Sequence, residues 1–141
     1  MYSEKMFEHS IALLRIAIGI VFFWFGLLKV AGFNPVYDIV YASFPFLAAG
    51  IGNLLLGGLE TLIGFALICN AFQKTTHLIL ILHLLGTLSV LVTAPHIMFA
   101  PYFPLLTLGG EFVIKNIVLA MGGVVVIHYH MRHPRLSKGW W

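Results

Sequence analysis

The chain has 141 residues and a formal net charge of +3, and its composition excludes a soluble domain. Hydrophobic residues make up 60% of it and charged residues only 9%, whereas a soluble domain carries about 25% charged residues. So little charge suits a chain that is solvated mainly by lipid. At this length we expect one domain, with room for four transmembrane helices of about 20 residues each.

The distribution of charge argues against a nucleic-acid-binding protein, and the cysteine content excludes redox chemistry based on a cysteine pair. The only positive cluster runs from Arg132 to Lys138, inside a predicted basic cytoplasmic tail (129–141), so no nucleic-acid partner is expected. Cys69 is the only cysteine, which excludes an internal disulfide and a CxxC redox pair. We predict no metal site. The N-terminus has mixed charge and no small-residue cleavage site, which favours a retained first helix over a signal peptide.

Four apolar segments predict an all-α fold, an integral membrane four-helix bundle in a lipid bilayer. Their approximate bounds are 11–30, 48–69, 75–92 and 106–128. The short second connection contains Lys74 and the tail is basic, whereas the connections 31–47 and 93–105 contain no Lys or Arg. Because positive charge favours the cytoplasmic side, we expect both termini inside and these two connections outside.

The first outer connection contains a helix-start signal at Asn34 and Pro35. It predicts a short interfacial helix that carries Tyr37 and Tyr41 on one face. These aromatic side chains would either anchor the chain at the membrane surface or form part of a lid over an outward-facing pocket.

Ionisable residues inside the spans are the candidate functional residues, because each costs about 2.5–3.5 kcal/mol at the bilayer centre and usually faces the bundle interior. Glu60 shares a helix face with Gly57 and Gly64, and glycine stripes mark the packed side of a helix. A rise of about 1.5 Å per residue brings four groups near one layer. The predicted buried cluster consists of Arg15, Glu60, His83 and Lys115, with Glu111 and Lys29 nearer the outside and Asn116 alongside.

This predicted cluster has two interpretations that the spacing leaves open. It could clamp the helices together, or it could orient a ligand and relay protons. His83 suits a relay because an unperturbed imidazole exchanges its proton near neutral pH.

Three segments resemble the DoxX/DoxD-like membrane proteins. They read RIAIGIVFFWFGLLKVAGF (Arg15–Phe33), LLGGLETLIGFALICN (Leu55–Asn70) and GGEFVIKNIVLAMGG (Gly109–Gly123). The resemblance implies a multi-pass protein of the bacterial inner (plasma) membrane, linked in part of the family to quinone-coupled oxidoreduction. The polar positions that it carries over are Arg15, Lys29, Glu60, Lys115 and Asn116.

The first functional hypothesis is therefore a quinone-binding subunit of a membrane oxidoreductase or oxidative-stress complex. No cofactor would be bound covalently, and a redox partner protein would supply the electrons. The residues that would hydrogen-bond or protonate the quinone are Glu60, His83 and Lys115. The residues that would help to bind it are Arg15, Lys29, Glu111, Asn116, Tyr37 and Tyr41.

Three alternatives accompany this hypothesis. The chain could be a carrier for a small solute or protons, which at this size would require a homo-oligomer. It could also be an assembly subunit without chemistry. A haem variant of the first hypothesis would use His77 and His128, which lie near the inner ends of their predicted helices.

Overall fold

The computed structural model describes residues 2–133, and this part of the chain is helical, with one isolated β-bridge between Phe99 and Leu106. Four stretches are long and apolar enough to cross a membrane, which indicates a multi-pass membrane protein. The spanning helices are α1 (Tyr2–Val30), α4 (Gly50–Ile68), α5 (Gln73–Leu88) continued by α6 (Val90–Thr93), and α8 (Leu108–Arg132). Three short helices lie in the long connections: α2 (Tyr37–Ser43), α3 (Pro45–Ala48) and α7 (Pro95–Met98).

The four predicted spans are all present, but their ends differ from the predicted ones. Helix α1 begins at Tyr2 rather than near residue 11, because its first turns contain good helix formers such as Glu4, Lys5 and Glu8. The third span is interrupted at Ser89, whose hydroxyl donates to the carbonyl of Gly86 (2.6 Å). Residues 134–141 of the predicted tail lie outside the described residues. The orientation in the membrane stays a prediction.

Helices α1 and α4 pack with their backbones in direct contact, as the glycine stripes predict. A Cβ placed on Gly26 would lie 2.7 Å from the carbonyl oxygen of Gly57, and one on Gly64 would lie 2.6 Å from that of Gly19. No side chain fits in such a gap, so only glycine allows this approach. The close packing brings the C-terminal end of α1 against the middle of α4.

The two long connections meet at one end of the bundle, here called the long-loop end. Helix α2 starts at Tyr37, after the predicted signal, because Asn34 forms a turn in which its Oδ1 accepts the N–H of Val36 (3.2 Å). The hydroxyls of Ser43 and Thr93 lie 2.8 Å apart and join the two connections. The placement of α2 at a membrane surface stays a prediction.

Buried apolar side chains form two clusters at different levels of the bundle. One lies between α1, α4 and α5 and contains Ile18, Phe22, Ile63, Leu67, Leu80 and Leu84. The other lies under the long connections and contains Ile39, Val90, Ala94, Met98 and Val113. We call the first the central core cluster.

The packing of α1 on α4 gives a direct prediction for two neighbouring glycines. A Cβ at Gly57 would lie 2.6 Å from the Cβ of Lys29, whereas a Cβ at Gly58 meets nothing within 4 Å. Gly57→Ala should therefore lower the free energy of unfolding by about 1–3 kcal/mol through overpacking. Gly58→Ala, which gains the same helix propensity, should not destabilise the protein. Reversible denaturation in detergent measures both, and equal effects would contradict this packing.

Candidate functional site

Three buried ionisable side chains from three helices meet near the long-loop end. The Nζ of Lys29 lies 2.6 Å from Oε2 of Glu60, and Nε2 of His83 lies 3.1 Å from Oε1 of the same carboxylate. Their side chains are only 2%, 8% and 14% exposed for Lys29, Glu60 and His83. The carboxylate thus has a separate partner on each oxygen. We call these three residues the Glu60 triad.

The three side chains of the Glu60 triad line a cavity of about 320 Å³. The rest of its wall is mainly aliphatic and includes the aromatic rings of Phe25, Phe44 and Phe112, and α2 contributes Ile39 and Val40. Ligand pockets have this volume and this combination of apolar walls with few polar groups. The cavity is therefore the candidate binding site.

Asn116 provides a second polar group in the wall of this cavity. Its side chain is 6% exposed, and within the described part of the chain no hydrogen bond to its amide is present. The amide therefore has unused hydrogen-bonding capacity, both as a donor and as an acceptor. Its position in the cavity wall makes it available to a ligand.

Asn53 is a positioning residue that the sequence analysis missed. Its Nδ2 donates to the carbonyl of Lys29 (3.1 Å), and its Oδ1 accepts from Asn34 (2.9 Å). These bonds hold the last turn of α1 where Lys29 reaches Glu60. The signal was available, because Asn53, Gly57, Glu60 and Gly64 follow each other at helical spacings of 4, 3 and 4.

Arg15 does not join the Glu60 triad, although the sequence analysis predicts it there. Its Nη1 donates to the carbonyls of Leu67 and Ile68, the latter at 3.0 Å. Arg15 thereby satisfies the open carbonyls at the C-terminal end of α4. The central core cluster separates it from Glu60, and its contacts tie the middle of α1 to the C-terminal end of α4.

Lys115 and Glu111 also lie away from the cavity. The Nζ of Lys115 lies 3.1 Å from Oε2 of Glu111 on one face of α8. The side chains of Lys115 and Glu111 are 75% and 51% exposed. The prediction that Lys115 joins a buried cluster is wrong, because this face of α8 points out of the bundle. Asn116, the next residue along the chain, is the one that α8 turns towards the cavity.

The tyrosines of α2 stack on each other rather than over the cavity. Their ring centroids are 5.7 Å apart at an angle of 15°, and Tyr37 and Tyr41 are 42% and 54% exposed. Tyr37 instead borders a second cavity of about 430 Å³, which Lys29, Asn34 and Asn53 also line. Lys29 is thus common to both cavities.

His77 and His128 do not form the pair that the haem hypothesis requires. His77 is buried, with its Nδ1 2.7 Å from the carbonyl oxygen of Gln73, whereas His128 is exposed. The ring beside His77 is that of His130, at 6.4 Å between centroids. Among the described residues, no group of three or more His, Cys, Asp or Glu side chains is arranged for a metal ion.

No family model matches the chain, and neither the curated proteins nor the solved structures give a significant match. The DoxX/DoxD-like resemblance therefore rests on the segments quoted above and stays a prediction.

The geometry of the Glu60 triad predicts that removing one charge of the Lys29–Glu60 pair destabilises the protein more than removing both charges. Glu60→Gln leaves the Lys29 ammonium buried without a carboxylate and should lower the free energy of unfolding by about 3–5 kcal/mol. Lys29→Met combined with Glu60→Gln removes both charges and should recover most of this loss. Thermal unfolding in lipid nanodiscs measures both, with Asp38→Asn on exposed α2 as the control. A double variant no more stable than Glu60→Gln would contradict the pairing.

Proposed function

We propose that this chain is a quinone-binding subunit of a membrane oxidoreductase, and that the cavity beside the Glu60 triad holds the quinone ring. The observation that carries the proposal is the composition of this cavity. Its apolar walls, which include Phe25 and Phe112, suit a flat apolar ring, and the His83 imidazole and the Asn116 amide offer hydrogen bonds. Two such polar groups in an apolar pocket fix the orientation of a ligand.

His83 is the group that exchanges a proton with the ligand. The Glu60 carboxylate can only accept a hydrogen bond, so Nε2 of His83 carries a hydrogen. In the proposal Nδ1 faces the ligand: when protonated it donates to a quinone carbonyl oxygen, and after the proton transfer it accepts from the quinol hydroxyl. Glu60 orients the imidazole ring through the hydrogen bond at Nε2, and Lys29 balances the charge of the carboxylate. A Glu–His pair of this kind supports general acid–base catalysis.

The chemistry requires electrons and protons from outside the cavity. A quinone takes up two electrons and two protons when it is reduced to the quinol. In the proposed reaction, His83 donates a proton to a carbonyl oxygen and is protonated again before the second transfer. Cys69 is the only cysteine in the sequence, so no CxxC pair can carry the electrons, and in the proposal a redox partner protein supplies them. The proposed setting is the bacterial inner membrane.

Carrier function has less support from the geometry. A carrier must open its site to both sides of the membrane, and the central core cluster fills the bundle between Glu60 and Arg15. Phe22 and Leu84 of this cluster also line the cavity floor. The carrier and assembly hypotheses both predict that the cavity holds no quinone.

Two substitutions in the cavity wall test the proposal. Asn116→Leu keeps the shape of the side chain but removes its hydrogen bonds, and should weaken the binding of a short-chain quinone about tenfold, the equivalent of one lost hydrogen bond. His83→Phe should weaken it at least as much. Binding to purified protein in nanodiscs is measured by equilibrium dialysis.

The matched control is Lys115→Gln, which changes a residue of the same sequence motif outside the cavity. It should bind the quinone as the unaltered protein does. The proposal would be wrong if Asn116→Leu and Lys115→Gln had the same affinity, or if the unaltered protein bound no quinone.

A further inference from the structure

An exposed stripe runs along the part of α8 that faces away from the bundle. It contains Glu111, Lys115, Val118, Met121 and Val125, at helical spacings of 4, 3, 3 and 4. The side chains of Glu111 and Lys115 are 51% and 75% exposed, and the three apolar residues are 73%, 57% and 45% exposed. We call these five residues the α8 stripe.

The charged end of the stripe lies within a membrane-spanning helix. Lys115 is seven residues from the start of α8, about 10 Å along the helix axis. Ionisable groups at this depth are expensive in lipid and are normally covered by protein. The other charged residues within the apolar segments, Arg15, Lys29 and Glu60, are buried in the bundle. A protein surface over the Glu111–Lys115 pair would therefore replace unfavourable contact with lipid.

The charges of the α8 stripe indicate which protein surface would be complementary to it. Glu111 and Lys115 have opposite signs and stand one helical turn apart. In two parallel copies related by a twofold axis each residue lies level with its own counterpart, so each carboxylate pairs with the ammonium of the other copy diagonally, across one helical turn. Related by a twofold axis, the same stripe meets itself, which is the commonest interface in homo-oligomers. Val118, Met121 and Val125 then pack against their own counterparts below the charges.

We propose that the α8 stripe is the dimerisation surface of this protein, and that its partner is a second copy of the chain in the same orientation. The interface combines two intermolecular Glu111–Lys115 pairs with an apolar contact centred on Val118. The surface lies on the side of α8 opposite to Asn116, so the dimer leaves both cavities unobstructed. This inference is independent of the proposed quinone chemistry.

Charge reversal tests whether the pairing is between chains. Glu111→Lys gives a stripe with two positive charges, and Lys115→Glu gives one with two negative charges. Each variant should self-associate at least tenfold less than the unaltered protein, because all charges at the interface then have the same sign and no pair between the chains remains. Co-expressed with different tags, the two variants should purify together. Pairing within one chain cannot explain this result, since neither variant retains an intrachain pair.

Cysteine crosslinking in native membranes locates the contact. Cys69→Ser removes the natural thiol, and Val118→Cys should then form a disulfide-linked dimer on oxidation. Leu62→Cys, on an exposed face of α4 with similar exposure (67%), should not. Thermal unfolding of each variant confirms that it is folded.

Three results would overturn the proposal. Equal crosslinking at positions 62 and 118 would show that the contact is not specific. Unchanged self-association of both single charge variants would show that the charges do not form the interface. If position 118 crosslinks to a different protein and forms no homodimer, the partner of the α8 stripe is that protein and not a second copy of the chain.

Discussion

The fold depends on the requirement that a charge inside a lipid-solvated protein be compensated by a neighbour. Glu60 meets this requirement twice, with Lys29 on one oxygen and His83 on the other. Because the partners come from α1 and α5, the carboxylate determines where three of the four spanning helices meet. A buried ion pair contributes little net stability, but removing one partner is costly. The Glu60 triad therefore specifies one arrangement of the bundle.

The remaining features of the long-loop end support this arrangement. Glycine contacts allow α1 and α4 to approach until Lys29 reaches Glu60, and Asn53 holds the last turn of α1 in place. Ser43 and Thr93 join the two long connections, and α2 in the first of them lines the resulting cavity. The same constraint explains why an otherwise apolar cavity has polar groups in its wall: the imidazole that completes the triad also lines the cavity. Structure and proposed chemistry thus use the same side chains.

Hydrophobic patterning was sufficient to predict four spans, and the glycine stripe was sufficient to predict that Glu60 faces inward. Patterning failed for Lys115, because helical spacing gives the face of a residue on its own helix but not the neighbour that covers this face. Patterning also failed to predict the partners of Arg15, which are backbone carbonyls at the C-terminal end of α4. The sequence does not show which helix end lies close to a given side chain. Asn53 could have been found from its spacing to Glu60.

Native mass spectrometry of the protein, extracted gently from its own membranes, shows directly whether the cavity beside the Glu60 triad holds a quinone. We expect the 15.7 kDa chain to retain a ligand with the mass of a quinone, and we expect Asn116→Leu to lose this ligand while Lys115→Gln keeps it. If the unaltered chain carries only phospholipid, or if both variants retain the quinone equally, the cavity beside Glu60 is not a quinone site.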